Sequence, residues 1–383
     1  MLTTALTIAA VAATTAYAVP ATKHGVKYVD WTSFNATGVN LGGWFVQELT
    51  IDTGFWADFA GNKSDEWSVC AANKACGTAL ERRYTTWITT CDIDTLAAAG
   101  ITLLRIPTNY ATWIEVPASQ LHHGSQLEHL EKITSYAIQK HGMHIVLDLH
   151  SLPGGLNGLD IGERVGGRDW FHNQTALDYS LAAVDRVLDF INHSGHPQHF
   201  TLEPANEPSD NPDFSTFGTP ATLSAKGSEW VLKYYQAVLD RAHKSNPNLS
   251  VMLHDAFQGP DFWSAHFHPS AKIVFDVHRY YFARPSTPAN VTAIMTADGK
   301  ELATAASTFP TYVGEWAIQT SANNSYASRR AVFKHGLATW AESTRGSAYW
   351  NVKYSGNGKV EGEGTQAEYW DFQQFMNSGY LDG

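Results

Sequence analysis

The sequence predicts a single (β/α)8 barrel, and three observations carry that expectation. Eight short apolar runs recur along the chain, at residues 39–45, 103–107, 144–150, 200–207, 249–255, 273–280, 311–316 and 347–352. Segments with helical apolar spacing fall between several of them, at 80–99, 126–141, 176–193, 224–245 and 327–342. No G-x-G-x-x-G turn follows the first run, where a doubly wound nucleotide-binding sheet would place one. Strands alternating with helices make a parallel sheet, and eight of them close into a barrel.

The runs support this in turn. The third (HIVLDLH) and sixth (KIVFDVH) are almost continuously apolar, as strands covered on both faces must be. At their C-terminal ends the runs turn polar. The second carries Arg105, the third Asp148 and His150, and the fourth Asn206-Glu207-Pro208. The fifth ends in His254-Asp255, the sixth in His278 and Tyr280, the seventh in Glu315-Trp316, and the eighth in Trp350. One polar strand end is a helix cap or a surface pair. Seven together predict a cleft at the C-terminal mouth of a barrel, where such folds build their sites.

Composition narrows the class. Of 383 residues, 44% are hydrophobic and 16% charged, enough apolar mass for a large core, so disorder is excluded. There are 26 Lys+Arg against 37 Asp+Glu, a net charge of -11, and no basic run. Neither nucleic acid nor an anionic membrane is an expected partner. Residues 1–18 lack a charged side chain and end in Ala16-Tyr17-Ala18, the pattern of a cleaved secretory leader. Residues 19–383 are then expected to form one secreted, monomeric barrel domain, with no later run long enough to span a membrane. Seven Asn-x-Ser/Thr sequons, at Asn35, Asn62, Asn173, Asn192, Asn248, Asn290 and Asn323, fit that compartment. With only three cysteines, one bridge is the maximum. Cys70 and Cys76 enclose a short loop and are the expected pair, leaving Cys91 as a buried small hydrophobe on a helix.

Two carboxylates on opposite strands, Glu207 and Glu315, supply what glycosidic bond cleavage needs: an acid for the leaving oxygen and a second group opposite it. Arg105 should lie beside Glu315 and favour its ionised form, hence a nucleophile. Glu207, next to the Asn206 amide and without a close cation, should be the acid/base. Glu203, four residues earlier, reads as a structural hydrogen-bonding group. Of thirteen tryptophans, Trp316 and Trp350 are expected to touch ligand; Trp44, Trp87, Trp113 and Trp340 read as packing. Seventeen histidines suggest a metal site, but there is no H-E-x-x-H and no local carboxylate-histidine grouping, so neither metal nor cofactor is expected. A serine hydrolase is disfavoured because no G-x-S-x-G occurs.

These residues fall within GVNLGGWF (38–45), LRIP (104–107), DLHSLPGGLNGLD (148–160), NEP (206–208), HDAF (254–257), HRY (278–280) and GEW (314–316). In that order the set resembles glycoside hydrolase family 5, in its fungal exo-β-1,3-glucanase branch, over nearly the whole chain beyond the leader. The resemblance implies a retaining mechanism without cofactor, with Glu207 as acid/base and Glu315 as nucleophile. It also implies that Arg105, His150, Asn206, His278, Tyr280 and Trp350 line the site, and that Glu48 and Asp160 hold the hydroxyls of a terminal glucose. Two phenylalanines that clamp the leaving-side glucose in that branch are replaced here by Leu159 and Ala283, with Phe282 adjacent. The fourth strand, FTLEPANEP, is also less aliphatic than is usual there. Both departures are similar to the rutinosidase group, which releases a rhamnosyl-glucose disaccharide from flavonoid glucosides. The alternatives are an exo-β-1,3-glucanase and, from another class, a sugar-binding barrel without catalysis.

Overall fold

The computed structural model describes residues 27–305 and 307–381, and the expected leader lies outside them. Eight parallel strands close in sequence order into a barrel. They are β1 (Ala36–Asn40), β2 (Leu103–Thr108), β3 (His144–Leu149), β4 (Phe200–Glu203), β5 (Ser250–His254), β6 (Ile273–Arg279), β7 (Thr311–Trp316) and β8 (Gly346–Tyr349). Each expected run overlaps one strand, although β1 begins three residues before its run and shares only Val39 and Asn40 with it. β4 stops four residues early because Pro204 has no N–H to give to the ladder.

The helices follow local rules. Gln126–His141 spans its expected range and ends on Gly142 in the left-handed conformation, at φ 65°. The segment 80–99 is two helices rather than one, Cys76–Thr86 and Thr90–Ala98. Thr89 starts the second through a capping box with Asp92, which outweighs the continuous apolar spacing. Val291–Thr304 was not foreseen; its many Ala and Thr residues give only a weak stripe. The Cys70–Cys76 bond forms as expected. Cys91 does not match its expectation: it lies near the start of Thr90–Ala98 and is exposed, because Ile93 and Leu96 hold the buried face.

Alternate residues of each strand point inward and form layers. At the N-terminal end, Ala36, Leu103, Val146, Met252, Val274, Tyr312 and Ala348 pack around Trp31, whose indole N–H donates to Thr201 Oγ1 at 3.0 Å. Burying that indole stabilises the closed end by about 2–3 kcal/mol. Gly38 makes room there, since a Cβ would come within 2.5 Å of the Tyr312 hydroxyl. One layer further on, the inward residues are Arg105, Asp148, Glu203 and Asp276, all fully buried. The interior thus changes from apolar to ionic within one pleat, and the site stands on that ionic layer. Among the described residues no helix is long and apolar enough to cross a membrane.

Candidate active site

Arg105 is the post at the centre. Its guanidinium donates to Glu203 through Nε and Nη2 (2.7 and 3.0 Å), to Asn206 Oδ1 (2.9 Å), to Asn40 Oδ1 (3.1 Å) and to Glu315 Oε1 (2.7 Å). A fixed fork with every partner in place can be buried with its charge. Burial acts against that charge, but Asp148, Glu203 and Glu315 outweigh it and raise the group further. Glu203 accepts two hydrogen bonds from Arg105, in keeping with the structural role expected of it. Burial, with Asp148 and Asp276 beside it, raises its carboxyl well above the usual range despite Arg105.

A bulge in β7 aims Glu315 into the mouth. Val277 pairs with Val313, but His278 pairs with Glu315, so Gly314 is the extra residue and the inward alternation shifts by one. Only glycine fits there: a Cβ would sit 2.2 Å from the Asp276 carboxylate, which instead accepts the Gly314 N–H. Glu315 then accepts from Arg105, from the Tyr280 hydroxyl at 2.7 Å, and has His278 Nδ1 at 3.4 Å. Burial raises its carboxyl, opposed by the charges of His278 and Arg105. The same bulge corrects the expectation for Trp316. It is turned outward and fully buried against Phe333, Trp340 and Tyr349, so it touches no ligand. Trp44, Trp113 and Trp340 are core, as expected. Trp87 is part-buried under the Arg83 guanidinium.

Glu207 lies four residues beyond the end of β4 at φ 49°, a left-handed conformation that a non-glycine residue adopts at a cost. It was expected to lack a close cation. The structure instead places His278 Nδ1 2.7 Å from Glu207 Oε1, while Nε2 contacts Asp276 at 3.1 Å. Burial pulls the His278 imidazole down, but Glu315, Asp276 and the bonds to Asp276 and Glu207 outweigh it and hold the ring well above its usual value. The sequence could not show this, because the three groups come from β4, β6 and β7. One nitrogen at 2.7 Å from Glu207 and 3.4 Å from Glu315 also bounds the separation of the two carboxylates. Their nearest oxygens are therefore closer together than the spacing of about 6.5–9.5 Å that leaves room for an inverting water.

Asn206 and His150 complete the floor. Asn206 Oδ1 accepts from Arg105, so its amide nitrogen faces His150 Nε2 at 3.2 Å, and His150 Nδ1 bonds Asp148 at 2.6 Å. Trp350 lies parallel to His150 (5.8 Å, 14°) and forms one wall. Glu48 has a buried Oε1 with no partner among the described residues, and burial with Asp160, Glu315 and Glu207 nearby raises it well above the usual range. Burial pushes Asp160 up to about 6. Leu159 is part-buried and Ala283 exposed. Phe282 leans on Tyr280 (5.4 Å) and on Trp370 (5.3 Å), a residue of the C-terminal segment that the sequence reading missed. Asn40 and Asp276 were also missed; their inward register beside Arg105 follows from two-residue alternation and could have been read.

A carboxylate-histidine grouping does exist in space, since Glu207, His254 and His278 offer atoms within 4.8 Å of one another. Of these, His254 Nε2 has no partner among the described residues, but the His278 nitrogens and Glu207 Oε1 are committed. His278 uses both ring nitrogens on carboxylates, and His254 Nδ1 accepts the Ala256 N–H at 2.9 Å. A metal would have to take a nitrogen of His278 from a carboxylate, and a ring held protonated by those carboxylates is a poor ligand, so the donor set does not fit one.

Residues 65–356 match the sequence model of the family described as Cellulase (glycosyl hydrolase family 5). The chain belongs to that family. It is 30% identical over 285 residues to a probable glucan 1,3-beta-glucosidase of Arthroderma benhamiae, covering 73% of this chain and 64% of the relative. It is 30% identical over 275 residues to a probable glucan 1,3-beta-glucosidase A of Aspergillus fumigatus, covering 69% and 61%. The matched part thus spans less than two thirds of these relatives. Two solved structures agree along almost their full length. The rutinosidase from Aspergillus niger has a TM-score of 0.91 at 47% identity, covering 93% of this chain and 100% of that one. A protein named AoRut has a TM-score of 0.92 at 51% identity, covering 93% and 99%.

Proposed function

We propose that this protein is a secreted retaining β-glycosidase that releases rutinose from flavonoid glycosides such as rutin. The observation that carries the mechanism is the shared His278 nitrogen, which holds Glu207 and Glu315 closer than an inverting pair, as a covalent intermediate requires. Glu315 is the nucleophile. Three donors converge on it, one of them the permanent charge of Arg105. Glu207 accepts from His278 alone among the described residues, and serves as acid to the leaving oxygen and then as base to the incoming water. In the first step Glu315 attacks the anomeric carbon while Glu207 gives its proton to the aglycone oxygen. In the second, water loses a proton to Glu207 and displaces Glu315.

Glu48 and Asp160 are suited to bind glucose hydroxyls: burial raises both carboxyls, and Glu48 Oε1 has no partner among the described residues and is open to a hydroxyl. His150, Asn206 and Trp350 shape the same pocket, and no cofactor enters these steps. Support for the disaccharide comes from the 47–51% identity to the Aspergillus niger rutinosidase and to AoRut over nearly the whole described chain. A second reading, an exo-β-1,3-glucanase, is favoured by the names of the curated relatives. The leader-like residues 1–18 and the sequons support secretion. Incubation with rutin beside laminarin separates the two readings. Free rutinose is the expected product; glucose from laminarin with rutin untouched would replace the first reading by the second.

A further inference from the structure

We infer that the loops after β4 and β5 carry an aromatic ladder that binds the flat, multi-ring leaving group of the substrate. The inference rests on the glycosidase reading above and names a surface that the reading does not use. Phe214 is 62% exposed, the most exposed large apolar side chain among the described residues. It stacks on Phe217 (5.6 Å, 16°), which packs edge-on against Phe257 (5.3 Å, 62°). Phe257 packs edge-on against His254 (5.1 Å), and His254 against His278 (4.3 Å), the ring that bonds Glu207. A continuous run of rings therefore leads from solvent to the acid/base.

The direction of that run identifies its ligand. The acid/base must reach the leaving oxygen, so the aglycone departs on the side of Glu207, at the end of β4. In the proposed reading glucose is held by Glu48 and Asp160, neither of which contacts the ladder rings. The ladder rises beside β4 and β5 and offers faces without charge, which suit a planar phenolic group better than a second sugar.

The surface is held rigid. Asn211 Nδ2 donates to the Ala221 carbonyl at 2.9 Å, Thr222 Oγ1 to Ser209 Oγ at 3.0 Å, and Asp213 Oδ1 accepts from Ser215 N and Oγ. Gln258 Nε2 reaches the Pro220 carbonyl at 2.8 Å and ties the two loops together. Ala256 and Phe257 hold φ values of 47° and 59°, kept by bonds from their N–H groups to His254 Nδ1 and Asp255 Oδ1. Left-handed conformations at two successive non-glycine residues cost free energy, and here they turn the Phe257 ring toward the ladder. An exposed phenylalanine on a loop fastened this tightly is a preorganised contact.

The test compares wild type, Phe217→Ala, Phe217→Tyr and Phe214→Ala on two glycosides of the same sugar, one with a flavonol and one with a methyl leaving group. The sugar is whichever the wild type releases, rutinose or glucose, so failure of the rutinoside reading leaves the ladder testable. Phe217→Ala should lower kcat/KM for the flavonol glycoside about fivefold and Phe214→Ala about twofold, with Phe217→Tyr near wild type. The methyl glycoside should be unaffected. Inhibition by free quercetin, assayed on a 4-nitrophenyl glycoside, should weaken in parallel. Equal losses on both glycosides would assign the rings a purely structural role and overturn the inference. So would unchanged flavonol kinetics in Phe217→Ala.

Discussion

β3 and β6 end in the same pattern, Asp148-x-His150 and Asp276-x-His278, with both pairs facing into the barrel and both aspartates within reach of Arg105 (3.1 and 3.7 Å). Beyond that they diverge. His150 meets an amide, accepts from Asn206, and lies flat against Trp350. His278 meets two glutamates and donates to carboxylates through both nitrogens. Asp276 beneath it follows suit. Burial raises its carboxyl, but His278, Arg105 and Glu203 bring it below the usual range, while Glu203 is raised. An Asp-x-His pair on a strand is therefore only a mount. The group facing the far nitrogen decides whether the ring acts as a fixed acceptor or as a cation placed between two carboxylates.

The largest effect should come from the carboxylates that make His278 differ from His150. Glu315→Gln should reduce kcat by more than about 10,000-fold, and Glu207→Gln by about 100- to 10,000-fold, less with an activated aryl leaving group that needs no proton. Steady-state rates on 4-nitrophenyl and unactivated glycosides measure both. Near-normal turnover by Glu315→Gln would mean that the two histidines surround a different nucleophile.

Next in size is the contrast between the rings. His278→Gln should cost about 100-fold in kcat, because one group then no longer orients both glutamates. His150→Gln should cost about tenfold and appear mainly in KM, since the Gln carbonyl can still accept from Asn206. Equal losses would remove the distinction.

Asp276→Asn against Asp148→Asn sharpens it through pH. The raised His278 ring is charged at low and neutral pH and loses its proton as pH rises through its elevated value, so activity should fall on the alkaline side. Removing the Asp276 charge should move that fall to lower pH by about one unit, whereas Asp148→Asn should leave it in place. Rate-pH profiles of the two variants give the comparison directly.

The smallest effect lies off the catalytic pair. Burial raises Glu66 to about 7, with Asp65 adding to the rise and the His122 N–H opposing it. A carboxyl raised in the folded state binds more protons there than in the unfolded chain. Its contribution is therefore complete below about 4.5 and is lost as pH rises to about 7. Glu66→Gln should stabilise the fold at pH 8 by about 1–3 kcal/mol and change nothing at pH 4, as read by denaturant unfolding.

The sequence revealed what depends on period and strand ends. All eight strands lie within or beside the expected runs, and Glu207, Glu315, Arg105, Asn206, His150, His278, Tyr280 and Trp350 meet at one mouth. What stayed hidden depends on departures from period. A bulge at Gly314 sends Trp316 into the core, a relation visible only once β6 and β7 are paired. A cap at Thr89 divides an apparently continuous helix and leaves Cys91 on its open face. The cation beside Glu207 arrives from a strand position 71 residues away, which no local pattern encodes.

The central claim is that the group held by Arg105, Tyr280 and His278 forms a bond to the sugar. A 2-deoxy-2-fluoro glycoside with a good leaving group slows the second step more than the first and traps that bond. Intact-protein mass spectrometry should show one added sugar, and peptide mapping should place it on Glu315, with activity returning as the adduct hydrolyses. An adduct on any other residue, or full turnover without an adduct and with inversion at the anomeric carbon, would contradict the account.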